Sequence, residues 1–120
     1  MDLEHGVIFI TIDGELSDEH VDWWSGAILA DPNYRPGMDR LVDFSGVTKL
    51  GVTTEGNRYL ATAAQRFDPN RWGRRLAIVV SGEEGFGVAR QYQSMRTPAP
   101  YEIRLFRRVE DAKEWLGIPS

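Results

Sequence analysis

The chain contains no cysteine. That excludes a disulfide framework, a thiolate metal centre and a thiol nucleophile. It has only two histidines, His5 and His20, and neither has a second His, Asp or Glu at a spacing that commits it to metal. Long apolar runs are missing too. The longest, such as Leu76 to Val80, are strand-sized and far below the ~20 residues a membrane helix needs. No Gly-x-Ser-x-Gly elbow is present to seat a hydrolase serine. The start, Met1-Asp2-Leu3-Glu4-His5, is acidic where an export signal is positive. A cytoplasmic protein without an integral membrane segment is the expectation, with no cofactor or metal implied.

Positive charge is also scarce. The 14 Lys and Arg against 18 Asp and Glu give a net charge of −4, which argues against nucleic acid, where cationic side chains supply most of the affinity. One local exception is Arg71, Arg74 and Arg75 around Trp72 and Gly73. An aromatic among arginines can grip a single strand or a phosphorylated partner, although a solvated loop leading into a strand explains it as well.

The 120 residues are 42% hydrophobic and 27% charged. That is the size and balance of one ordinary globular domain spanning 1–120. Strand-like and helix-like periods alternate along it four times. Val7 to Ile12 reads as a strand ended by the turn signal Asp13-Gly14. Ser17 can cap a helix running to about Ala30, with Asp18 and Glu19 at its positive end, and Asp31-Pro32-Asn33 stops it. Pro36-Gly37 then turns the chain into a strand from Met38 to Phe44.

The next helix begins near Thr53 or Thr54 and shows Gly56, Leu60, Ala63, Ala64 and Phe67 at helical spacing before Pro69-Asn70. Leu76 to Val80 is the continuous apolar run of a central strand covered on both faces. A helix follows the Gly82-to-Gly87 segment with Val88, Tyr92 and Met95 on one face, closed by Pro98 and Pro100. Tyr101 to Phe106 alternates as a strand near an edge. Val109, Ala112 and Leu116 give a short last helix, ended by Gly117 and Pro119. The expected fold is a single α/β domain: a mostly parallel sheet, four-stranded or slightly larger, with about four helices.

In order and spacing, four pieces resemble the SpoIIAA-like family, a branch of the STAS fold (STAS/SEC14-like). They are Asp31 to Gly37, Leu41-Val42-Asp43-Phe44-Ser45-Gly46-Val47, Leu76 to Val79, and Phe106 through Ala112, Trp115 and Leu116. The resemblance covers roughly Gly6 to Ile118. It implies a bacterial protein with helices mainly on one side of the sheet and a working loop between a strand and the next helix. In the anti-anti-sigma relatives that loop carries a phosphorylatable serine in an Asp-Ser-Ser-Gly run, which decides whether a partner protein is bound. Here Gly51 and Val52 stand at the Asp and the first Ser, followed by Thr53 and Thr54. With only five residues before Gly6, the family's usual first strand is expected to be missing or much reduced.

The candidate sites follow from these placements. Thr53 and Thr54 sit where a phosphate would meet free N–H groups at a helix start, and helix capping alone also accounts for them. Ser45 is the third hydroxyl of this switch loop, or simply a turn former. Asp43, at the end of a buried-looking strand, is a ligand or loop anchor: it can act as a base or accept N–H groups that pin the turn before Val47. The Gly82-Glu83-Glu84-Gly85-Phe86-Gly87 segment lies where phosphate-cradling loops sit. Its spacing fits neither nucleotide pattern, and two carboxylates would repel phosphate.

On the helix after Ser17, Val21, Trp24 and Ile28 mark the core side. Trp23, Ala27 and Ala30 extend the apolar arc to a rim that suits a partner or a second copy. The function expected is a non-enzymatic protein-binding or regulatory switch module, with a homodimer as one form of partner. The alternative is a carrier of a small apolar ligand, with Phe67, Phe86, Tyr92 and Trp115 lining its cavity. An enzyme using Asp43 with loop hydroxyls ranks last, because no base–nucleophile pair can be named.

Overall fold

The computed structural model describes residues 2–4, 7–18, 39–65, 75–96 and 102–118. It is an α/β domain built on a five-stranded sheet in the order β1-β2-β3-β4-β5. The strands are β1 (Asp2–Glu4), β2 (Val7–Ser17), β3 (Asp39–Gly51), β4 (Arg75–Val79) and β5 (Glu102–Phe106). Three helices are described, α1 (Thr54–Gln65), α2 (Glu83–Met95) and α3 (Val109–Leu116). Of the helix expected between Ser17 and Ala30, Asp18 is described and is helical, while 19–30 lie outside the described residues, as do the turns at 31–37 and 69–70.

Strands β2 to β5 are parallel, and β1 pairs antiparallel with β2 through Asp2↔Phe9, Leu3↔Ile8 and Glu4↔Val7. Strand β1 has three residues. Because the parallel strands are laid down in sequence order, crossovers of one hand put their helices on one face. The packing agrees. Ile8, Ile10, Val42, Leu76, Ile78, Val80 and Ile103 share a core with Ala61 of α1 and with Ala89 and Tyr92 of α2. Residues of opposite parity, Val7, Leu41, Ala77 and Val79, pack instead with Ala112 and Leu116 of α3 and with Ile118. Strand β4 lies between β3 and β5 and is buried from Leu76 onward on both faces. Full burial of one such side chain, Ile8 for instance, contributes about 1.5–3 kcal/mol.

Two strands run further than the turn signals imply. Asp13-Gly14 does not end β2, and Ser45-Gly46 does not end β3. The ladder continues to Ser17↔Gly51, with register shifts between Thr11 and Asp13 and between Gly14 and Glu15. Each shift inserts one extra residue on the β3 side, matching the 13 residues of β3 against 11 in β2. Gly14 has φ 76°, a left-handed conformation that glycine adopts without strain. The turn-forming residues thus stay within the ladder, with the bulges beside them on the β3 side. Ser17 closes β2, and Asp18 directly after it is helical.

Helix α2 also starts earlier than the glycines suggest. Its first turn begins at Glu83, so Gly85 and Gly87 are helical and only Gly82, at φ 80°, lies in the connection. Glu83 and Glu84 stand in that first turn, where the helix dipole favours negative charge. Helix α3 ends in a Schellman motif. Ile118 N–H donates to Lys113 O (2.9 Å) and Gly117 N–H to Glu114 O (3.1 Å), with Gly117 at φ 74° and Ile118 buried beside Ala112.

Arg75 joins three elements at the start of the parallel sheet. Its Nη2 donates to Asp39 Oδ2 (2.6 Å) and Nη1 to Trp115 O (2.8 Å), while its guanidinium lies 5.5 Å from the Trp115 ring centroid. Of the arginine cluster at 71–75, this member is committed to the fold. Arg71, Trp72, Gly73 and Arg74 lie outside the described residues.

Candidate functional site

The sequence-predicted hydroxyls fall into two separate groups. Ser45 belongs with Asp43. The Asp43 carboxylate accepts the Ser45 N–H (Oδ1, 2.8 Å), which fixes the first bulge of β3, and Ser45 O accepts from the Ser81 hydroxyl at 3.5 Å. Ser45 is exposed and Asp43 half-buried. Asp43 is the last β3 residue opposite β4, paired with Val79. Its carboxylate organises backbone within a continuous strand, not a loop before Val47.

Thr53 and Thr54 form the second group, at the start of α1, and both are exposed. Thr53 is the N-cap: its Oγ1 accepts the Gly56 N–H (3.0 Å), and its carbonyl accepts the Asn57 N–H (2.9 Å). The cap is itself held by Asp18, just past the end of β2. Asp18 Oδ2 accepts the Thr53 hydroxyl at 2.7 Å and Oδ1 accepts the Thr53 N–H at 3.0 Å. The hydroxyl bond first, and the N–H bond second, hold the Asp18 carboxyl below the ordinary carboxylate range against a smaller opposing effect of desolvation.

Gly56 is what admits the carboxylate. A Cβ on Gly56 would collide with the Asp18 carboxylate oxygens and Cγ. Thr54 faces the other way, and its Oγ1 accepts from Gln91 Nε2 of α2 at 3.3 Å. Gln91 Oε1 accepts from Asn57 Nδ2 (3.1 Å), which also donates to Val88 O (2.9 Å). Asn57 is 3% exposed, one of the few buried polar side chains described.

Sequence reasoning found the threonines and missed Asp18, Asn57 and Gln91. Two signals were available: a glycine in the first turn of a helix, and an asparagine on its apolar side. Each is costly in a helix unless a tertiary contact requires it.

Two further placements bear on function. Phe86 carries the guanidinium groups of Arg107 (4.3 Å) and Arg90 (5.2 Å) over its ring, and Arg107 also pairs with Glu83 at 3.0 Å. The segment from Gly82 is thus a helix start tied to the end of β5, not an open cradle. Phe86 and Tyr92 pack in the core under α1 and α2, whereas Trp115 packs with Phe106 in the core on the opposite face. These three aromatics do not converge on one cavity, and Phe67 lies outside the described residues.

Trp23, Ala27 and Ala30, with His5 and His20, also lie outside the described residues. Among the described residues no group of three His, Cys, Asp or Glu is placed to hold a metal ion. No helix among them is long and apolar enough to cross a membrane. No family model, no curated protein and no solved structure matches this chain.

Proposed function

We propose that this chain is a non-enzymatic protein-binding module of the regulatory, SpoIIAA-like kind, whose working corner is the start of α1. One observation carries the reading: the exposed hydroxyls of Thr53 and Thr54 are structural joints, one to Asp18 and the other to Gln91. A partner or a covalent group arriving at this corner acts directly on the contacts that tie α1 to β2 and to α2. A phosphate on either residue would add about −1.5 to −2 charges, and on Thr53 it would face the Asp18 carboxylate. Ser45 is a separate and weaker candidate, because its backbone is occupied in shaping β3.

The carrier reading has less support, since its aromatics are divided between the two faces of the sheet. The enzymatic reading has less again, because Asp43 spends a carboxylate oxygen on the Ser45 N–H. A homodimer through Trp23, Ala27 and Ala30 rests on helical spacing alone.

Native mass spectrometry of protein purified from its own host, wild type beside Thr54→Val, tests the proposal. A stoichiometric protein partner or a phosphate on Thr53 or Thr54, lost or changed in the variant while circular dichroism is unaltered, supports it. A bare monomer, or a partner retained equally by both proteins, counts against it.

A further inference from the structure

Residues Thr54 and Asn57 are three positions apart on α1, and Val88 and Gln91 are three positions apart on α2. In a helix that spacing puts two side chains on one face, one turn apart. The two faces meet. Gln91 Nε2 donates to Thr54 Oγ1 at 3.3 Å, Asn57 Nδ2 donates to Gln91 Oε1 at 3.1 Å, and Asn57 Nδ2 donates to Val88 O at 2.9 Å. The Gln91 amide is thereby used at both ends, its nitrogen on the helix start and its oxygen on Asn57. A backbone carbonyl has two lone pairs, so Val88 O can take the asparagine amide beside a helical bond.

The Thr54 end of this bridge is exposed, and burial shields its Asn57 end from exchange with water. Asn57 is 3% exposed and Gln91 half-buried, and breaking one member leaves its partners unsatisfied. The bridge starts at an exposed hydroxyl, Thr54, and ends on the backbone of another helix. On its other side, next to Thr54 in sequence, stands Thr53, which holds Asp18. Within this bridge, α1 and α2 are fastened by directional polar contacts, and not by apolar packing alone.

We propose that the Thr54–Gln91–Asn57–Val88 bridge couples the exposed start of α1 to α2, so that a change at Thr54 alters the stability of the second half of α2. The inference deepens the proposed function by naming what a switch at that corner would move. It rests on that reading only for its biological use, since the coupling belongs to the isolated chain. The second half of α2 reaches the sheet through Gln93 Nε2, which donates to Ile103 O of β5 at 2.7 Å. A loosened α2 would therefore be felt at the outer strand of the sheet.

The test is amide hydrogen exchange, followed residue by residue by NMR on the whole chain without any partner. Thr54→Val removes the acceptor while keeping side-chain shape, and Thr62→Val makes the same exchange of groups at an exposed α1 position outside the bridge. The coupling predicts that Thr54→Val speeds exchange of the Ala89-to-Met95 amides by roughly 2- to 30-fold, the span that couplings of this sort cover. Thr62→Val should leave those amides unchanged.

In a Gln91→Met background, which cannot donate to Thr54, the further Thr54→Val change should have no added effect on α2. Gln91→Leu serves in its place if the methionine variant does not fold. Unchanged α2 exchange in Thr54→Val overturns the proposal. So does an equal response to Thr62→Val, or a full additive response in the Gln91 background. Loss of partner binding with the coupling intact would instead sink only the proposed function.

Discussion

Asp18 and Thr53, 35 positions apart, are joined by two hydrogen bonds, one from the Thr53 hydroxyl at 2.7 Å and one from its N–H at 3.0 Å. The end of β2 therefore caps α1 through the cap residue itself. A carboxylate at a helix start is favoured by the helix dipole as well as by the hydrogen bonds.

The strictest check of this arrangement is Gly56. Alanine normally stabilises a helix relative to glycine by about 0.5–1 kcal/mol. Here a Cβ would strike the Asp18 carboxylate, so Gly56→Ala is expected to destabilise the native chain. In an Asp18→Ala background the same substitution should become stabilising. Urea unfolding of the four proteins measures the cycle, and additive effects would show that Asp18 does not occupy this seat.

The same contact sets an acid dependence. The folded carboxyl of Asp18 lies below its unfolded value, which is about 3.9 for an ordinary aspartate. Its contribution is therefore fully present above that value and lost as the pH falls through the lowered one. The stability difference between wild type and Asp18→Ala should be level near neutrality and shrink steadily below about pH 4. Denaturant midpoints collected from pH 2 to 7 would show it, and a constant difference throughout would refute it.

Asn57 should be sensitive to truncation. Asn57→Ala leaves Val88 O and Gln91 Oε1 without that donor and is expected to cost about 1–3 kcal/mol. The loss should appear as a lower urea midpoint with an unchanged slope, which marks stability rather than altered compactness.

Two glycines make opposite predictions for one substitution. Gly87 is helical, exposed and has open space where a Cβ would go, so Gly87→Ala should stabilise by about 0.5–1 kcal/mol. Gly117 also has open space, but its φ is 74°. Gly117→Ala should destabilise by about 1–2 kcal/mol, the cost of a left-handed conformation for an L-residue. Thermal melts of the two variants should move in opposite directions.

These residues show what could be read ahead of the structure. The central strand was legible because Leu76 to Val80 carries no polar residue and must be covered on both sides. The end of α3 was legible because Gly117 and Pro119 act locally. Thr53 as a cap was legible for the same reason. Its partner was not, since nothing near Asp18 in sequence refers to a helix that starts 35 residues on.

Strand lengths were misread where Asp13-Gly14 and Ser45-Gly46 carry turn chemistry. The pairing of β2 with β3 is strong enough to carry the ladder through these residues, with bulges on the β3 side. The start of α2 was misplaced because Gly85 and Gly87 weaken a helix on propensity alone, and packing of Phe86, Ala89 and Tyr92 against the sheet outweighs that.

The long β2–β3 ladder also bears on time. Each rung joins residues more than thirty positions apart, from Val7 with Asp39 to Ser17 with Gly51. No short hairpin can close such a parallel pair, so the entropy of bringing the two strands together is lost before the rungs begin to repay it. Chains dominated by such distant pairings cross their folding barrier slowly. The feature that gives this sheet its longest contact is also the one that sets how fast the chain can find it.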